Sequence, residues 1–144
     1  MKHFALAGCL CCLSSLSACG TRDKECQQFI GMVNQTLREI DARPQPAADD
    51  LAAAAKHRKA LAEKYRVLSR DVSRLTLSEP ELIAYAKRYS GLADAAGAAL
   101  AEGVKAIDAQ DPEAARASQR RFDEVAKQEA ALVQEINQLC LGEP

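Results

Sequence analysis

Apolar residues recur along this chain at spacings of three and four, in four separate runs. That period puts them on one face of an α-helix rather than on alternate sides of a strand. The first run, Cys26, Phe29/Ile30, Val33, Leu37 and Ile40, predicts a helix over about 23–42. Arg43-Pro44-Gln45-Pro46 ends it, because proline disfavours helical geometry in the residue before it. The second run, Leu51, Ala54/Ala55, Arg58, Leu61, Tyr65, Leu68, Val72 and Leu75, predicts a helix over about 46–75. Pro46 suits its first turn, and Asp49 and Asp50 complement the positive helix start. Its steps alternate between three and four, so this seam is coiled-coil-like. A third helix opens at Ser78-Glu79-Pro80-Glu81, which reads as a capping box with proline in the first turn. Its stripe runs Leu82, Tyr85/Ala86, Tyr89, Leu92, Ala96, Ala99/Leu100, Val104 and Ile107. Asp111-Pro112 starts the fourth, with Ala115, Ser118, Phe122, Val125, Glu129, Leu132, Ile136 and Leu139 on its stripe.

The connections near 42–46, 76–78 and 108–111 are short. Short links force neighbouring helices to run antiparallel. The expected fold is therefore all-α, an up-down-up-down antiparallel four-helix bundle. Helices 2 to 4 should each measure about 42–45 Å at 1.5 Å per residue. Helix 1 is shorter, so one end of the bundle is expected to be built of three helices. A loosely docked helix 1 beside a three-helix unit is the rival arrangement, and the apolar stripe on helix 1 speaks against it.

Ahead of the first helix stands a different pattern. Lys2 and His3 form a small polar start, and Phe4 to Leu16 is a continuous apolar run of about 13 residues. A membrane span needs roughly 20, so this run is too short to remain as one. It ends at Leu16-Ser17-Ala18-Cys19. Leucine, two small residues and cysteine in that order resemble the lipobox of bacterial lipoproteins. The resemblance covers only the first 20 residues. It implies cleavage before Cys19, a thioether-linked diacylglycerol on that cysteine and an acylated amine, with palmitate the usual chain. Several acyl chains anchor far more firmly than one, at about 0.8 kcal/mol per buried CH₂. Gly20 follows the cysteine where aspartate would imply retention at the inner membrane. Glycine there implies the outer membrane, with the protein facing the periplasm. The expected organisation is a signal peptide at 1–18, a lipid-anchored tether at 19–22 and the bundle at 23–141.

That reading changes the meaning of the cysteines. Of six, Cys9, Cys11 and Cys12 leave with the signal peptide and Cys19 carries lipid, so Cys26 and Cys140 remain. The envelope outside the cytoplasm is oxidising and favours disulfides. In an up-down-up-down bundle, the start of helix 1 and the end of helix 4 lie at the same end, and both cysteines continue their apolar stripes. A Cys26–Cys140 disulfide joining helix 1 and helix 4 is expected. Closing so long a loop allows about 4–5 kcal/mol in the entropic model.

Charge adds little. Lys2 is the one charged side chain in residues 1–18, so 18 basic residues face 20 acidic ones in the rest. A near balance gives no drive toward nucleic acid. Locally, Arg22 and Lys24 flank the anchor, and Arg66, Arg70 and Arg74 approach the end of helix 2 on the same side. Basic groups near an anionic surface contribute about 1 kcal/mol each, which makes these five candidate lipid-headgroup contacts. Cations near a helix C-terminus also complement its dipole, and Glu63 and Asp71 offer pairing at helical spacing.

No motif for catalysis stands out. After processing, the chain has no glycine-rich phosphate loop after a strand and no Cys-x-x-Cys, and only His57 remains, so no nucleophile–histidine–acid set is expected. Met32 and His57 fall at similar heights if the first hairpin turns near residue 44, an arrangement some four-helix cytochromes use for haem. Both lie beside their stripes rather than on them, so no cofactor and no metal is expected. Arg58 and Glu129 occupy core-type positions on diagonal helices, offset by about 9 Å along the axis. That leaves snorkelling past a core edge against a buried polar site. Gly91, Gly97 and Gly103 lie among the alanines of helix 3 and suggest close helix packing, or a shallow groove for a partner helix. Phe29, Tyr65, Tyr85 and Tyr89 map to the half nearest the anchor, where the spacing makes them core. The functional expectation is a non-catalytic, lipid-anchored envelope protein that offers helix faces to an unidentified periplasmic protein. A ligand- or cofactor-binding bundle is the alternative.

Overall fold

A computed structural model describes residues 16–47 and 50–142. Most of the expected signal peptide, and Asp49 with its expected role at a helix start, lie outside the described residues. Four helices pack against one another: α1 (Leu16–Asp41), α2 (Leu51–Ser73), α3 (Pro80–Asp108) and α4 (Pro112–Leu141). There is no strand among the described residues.

The helix ends depart from expectation for local reasons. α1 begins at Leu16 and runs through the segment expected as a tether. Nothing in Leu16–Lys24 breaks a helix, since the single Gly20 costs only about 1 kcal/mol. α2 begins at Leu51 and not at 46, because the Asp50 carboxylate accepts the Ala53 N–H at 2.8 Å and sets the cap there. Pro44 to Ala47 stay outside any helix, which shortens α2 to 23 residues. α4 starts as expected: Asp111 accepts from the N–H groups of Glu113 and Ala114, and Pro112 takes the first turn. Gly142, with φ 66°, closes α4 in the left-handed region that glycine enters without strain.

The capping box expected at Ser78 is not formed. α3 starts at Pro80, with Glu79 as a cap residue whose side chain makes no capping bond. Ser78 is engaged elsewhere, by Glu25 of α1. The Ser78 N–H donates to Glu25 Oε1 at 2.9 Å, the Ser78 hydroxyl donates to the same oxygen, and the Glu79 N–H donates to Oε2 at 3.0 Å.

α3 is the most deeply buried helix. Leu82, Tyr89, Ala93, Ala96, Gly97 and Leu100 are among its ten buried residues. α1 supplies Cys26, Phe29 and Val33 to the core, α2 supplies Ala62, Tyr65, Leu68 and Val72, and α4 supplies Leu132 and Ile136. Two edge-to-face ring pairs lock the layers. Phe29 meets Tyr89 at 5.9 Å between centroids, and Tyr65 meets Phe122 at 6.0 Å. Leu51, expected on the α2 stripe, is instead 67% exposed, because it stands in the first turn beyond the reach of α1.

Candidate functional site

The end of the bundle where α1 meets α4 brings together Cys26, Cys140 and Arg22. Cys26 and Cys140 place their sulfurs 2.05 Å apart, at disulfide distance, with Cα atoms 5.6 Å apart. Both sulfurs lie on the core side, with Cys26 buried and Cys140 half-buried. Next to this pair, the Arg22 guanidinium donates to the Leu139 carbonyl. On the other side of α1, the three bonds to Glu25 tie α1 to the α2–α3 connection. The Ser78 hydroxyl, and then the Glu79 and Ser78 N–H groups, hold the Glu25 carboxyl below its ordinary value of 4.5. An anion at that point also faces the positive end of the α3 dipole.

The five basic residues expected to face lipid do not form one free patch. Arg22 is half-buried and spent on Leu139. Arg66 stands 3.9 Å from Glu63, and Arg70 stands 3.7 Å from Asp71. Lys24 and Arg74 are exposed, as are the acidic Asp23 and Glu81. Sequence reasoning foresaw the Glu63–Arg66 pairing at helical spacing, but not the adjacent Arg70–Asp71 pairing or the role of Glu25.

Arg58 and Glu129 do not meet. Arg58 Nη2 donates to Gln119 Oε1 at 2.8 Å, crossing from α2 to α4 over Gly103. Glu129 accepts the Tyr89 hydroxyl. Burial, followed by that bond and the Glu129 charge, pushes the Tyr89 phenol upward. Burial and the charges of Glu129 and Asp41 push Tyr65 up to about 12.

Met32 and His57 are separated by the helix register. Lys64 pairs with Glu39 near the end of α1, so His57 falls beside the linker, where it lines a depression with Arg43, Pro44 and Pro46. Met32 packs on the core farther down. The linker is longer than the turn expected at 42–46, and that shifts the register. Among the described residues, no group of three or more His, Cys, Asp or Glu is placed to hold a metal ion.

The three glycines of α3 divide. A Cβ on Gly97 would stand 3.1 Å from the Ala62 carbonyl, and one on Gly103 would stand 2.9 Å from Arg58 Nη1 and Ser118 Oγ. Gly91 has open space. The first two mark close approach of α2 and α4 to α3.

Two surface features have apolar linings. A groove of about 330 Å³ runs between α1 and α4, lined by Phe29, Val33, Leu37, Val133 and Ile136, with Asn34 and Asn137 at its rim. At the opposite end, Leu51, Ile107, Pro112 and Ala115 line a depression of about 530 Å³. No described helix is long and apolar enough to cross a membrane. The Cys19 side chain lies outside what is described.

Comparison with protein-family models, with curated proteins and with solved structures finds no match to this chain.

Polar links missed by sequence tie the helices from outside. Arg88 on α3 makes two bonds to Glu135 on α4, at 2.6 and 3.0 Å, and lies 5.7 Å over the Tyr85 ring. Arg121 pairs with Glu102. Ser90 donates to the Ser69 carbonyl at 3.0 Å across α2 and α3. The signal available was helical spacing beside each stripe, which marks a boundary position without naming its partner.

Proposed function

We propose that this chain is a lipid-anchored module of the bacterial envelope, attached through Cys19 and acting without catalysis as an interaction or structural element. It stands on the outer membrane facing the periplasm, with residues 1–18 removed. The observation that carries this reading is Leu16-Ser17-Ala18-Cys19 directly after a short apolar run. In the same reading the bundle runs up-down-up-down, with the Cys26–Cys140 end beside the lipid. Support comes from the order of the cross-helix pairs. Glu39 on α1 meets Lys64 on α2, and Glu25, earlier on α1, meets Ser78 just beyond the end of α2. Ser69 meets Ser90 and Arg58 lies beside Gly103 between α2 and α3. Tyr89 meets Glu129 and Glu102 meets Arg121 between α3 and α4. Later residues on one helix meet earlier ones on the next in each case.

The test is membrane fractionation with mass spectrometry of the N-terminal peptide. The expected peptide begins at Cys19 and carries diacylglyceryl and acyl mass, and Cys19→Ala leaves an uncut, mislocalised precursor. A mature chain that begins elsewhere, or an unmodified Cys19, ends this reading.

The groove between α1 and α4 favours a second reading, a bundle that holds a small apolar ligand. Native mass spectrometry of protein released from membranes in mild detergent would show it as a bound adduct.

A further inference from the structure

α1 is held to the other helices in a different way from how they hold one another. Among the described residues of α1, only Cys26, Phe29 and Val33 are buried apolar side chains. The ties to Leu139, Ser78 and Glu79 all lie within its first half, around Cys26. Farther along, Ile30, Met32, Leu37 and Ile40 pack on the core only half-buried, and the polar cross-helix tie is Glu39 to Lys64, with side chains 46% and 31% exposed. Exposed ion pairs are worth about 0–1 kcal/mol. Past the disulfide pair, α1 and α4 part to leave the groove at Val33 and Val133. After α1, the chain from Ala42 to Asp50 forms no helix in its described residues, so displacement of α1 need not pull on α2.

We propose that Cys26–Cys140 is a redox latch for α1: reduction releases α1 while α2, α3 and α4 stay packed on one another. The reductant is a dithiol. Cys140 is half-buried where Cys26 is 3% exposed, so the dithiol's thiolate attacks Cys140 Sγ. The S–S bond breaks and Cys26 leaves as a thiolate that takes up a proton. The second thiol of the reductant then displaces Cys140 from the mixed disulfide. The reductant gives up two electrons and becomes a disulfide, and Cys26 and Cys140 end as thiols. Release uncovers Tyr89, on which Phe29 packs, and Ile136, which lines the groove beside Phe29 and Val33. One consequence alone rests on the anchor reading: with Cys19 in the bilayer, α1 and the linker become an arm that lets α2–α4 stand off the membrane.

Hydrogen exchange read by mass spectrometry tests the latch on the full chain in mild detergent, oxidised and after dithiothreitol. Peptide mapping that finds Cys26 and Cys140 alkylated only after reduction reports the state of these two cysteines. On reduction, amides from Glu25 to Ile40 should exchange about a hundredfold faster, while those of Leu68–Val72, Ala93–Leu100 and Leu132–Ile136 change less than about threefold. The Cys26→Ser, Cys140→Ser double variant should match the reduced chain. The latch is overturned by free thiols at Cys26 and Cys140 in the oxidised protein, by unchanged exchange in α1, or by loss of protection in all four helices together. None of these readouts depends on lipid at Cys19.

Discussion

The seams on either side of α3 and the seam around α1 solve the same packing problem with different residues. At the α3 seams glycines and alanines stand among the larger core residues and let neighbouring helices come close. Gly97 lies under the Ala62 carbonyl, Gly103 lies under Arg58 and Ser118, and alanines fill the positions between. At the α1 seam the side chains are large. Phe29 reaches across to Tyr89, the disulfide pair spans to α4, and a groove stays open beside them. Close approach brings many weak contacts at a position that tolerates no added atom. A bridged seam leaves room, so it leans on a few strong ties at one end. The far half of the molecule therefore depends on what is absent from α3, and the near half on what α1 reaches.

The sharpest way to break this contrast is to add atoms at the close seam. Gly97→Val places a branched side chain against the Ala62 backbone, which cannot rotate aside. The expected cost is about 3 kcal/mol, lowering the thermal midpoint by roughly 10 °C in a melt followed by circular dichroism. A change under about 2 °C would show that α2 and α3 are not in close register there.

At the α1 seam the corresponding test is Glu25→Gln. The Glu25 carboxyl is held below 4.5 by Ser78 and Glu79. A depressed acid stabilises the fold above its unfolded pKa, and that contribution is lost as pH falls through the folded value. The stability gap between wild type and Glu25→Gln should thus be widest near neutral pH and close in acid. Glu39 and Glu135 are also held low by Lys64 and Arg88, but they are present in both proteins and cancel. A gap that stays constant from neutral to acid would remove Glu25 from the α1–α3 junction.

How far these features could be read from the chain follows the same division. The four stripes and the Asp111-Pro112 start were legible because each is a local pattern. The Cys26–Cys140 pair was legible because the expected processing leaves only two thiols and both continue their stripes at one end of the bundle. Glu25 was not, because its partner Ser78 lies 53 residues away and a carboxylate at a stripe's edge looks like surface. Ser78 misled for the complementary reason. It belongs to a local sequence pattern that matches a capping box, and a distant carboxylate engages it instead. The register of α1 against α2 was misplaced by a linker that includes Pro46 and ends at the Asp50 cap. That displacement is what separates His57 from Met32. The candidate headgroup residues were legible as positions, but their pairings depend on rotamers that spacing does not fix.

A smaller effect probes the layer where the two seams meet. Tyr89 packs its ring on Phe29 and donates its hydroxyl to Glu129. Tyr89→Phe keeps the ring and removes the bond, so the cost should be about 1 kcal/mol. The phenol is pushed above its ordinary 10.0, chiefly by burial. A raised acid stabilises the fold below its unfolded pKa and loses that contribution as pH rises beyond it. Alkaline unfolding of the wild type should steepen above pH 10, and Tyr89→Phe should remove that component. Identical alkaline profiles would mean that the hydroxyl reaches water.

The smallest expected effect has the opposite sign. Gly91 sits on the same helix as Gly97 and Gly103, but it is exposed and a Cβ there would meet nothing within 4 Å. A mid-helix glycine with no neighbour to accommodate carries only the conformational cost of its freedom in the unfolded chain. Gly91→Ala should therefore stabilise by up to about 1 kcal/mol, seen as a rise of a few degrees in the thermal midpoint. The gain should persist when the Cys26–Cys140 pair is reduced, because α3 keeps its helix with or without α1. The same substitution at Gly103 should cost stability, since Ser118 Oγ and Arg58 stand where the methyl would go. Opposite signs for one substitution at two sites on one helix would show that proximity of α2 and α4, not helix propensity, fixes glycine in the far half. A loss at Gly91 would instead point to a surface that something in solution covers, and the contrast between the two seams would no longer account for the glycines of α3.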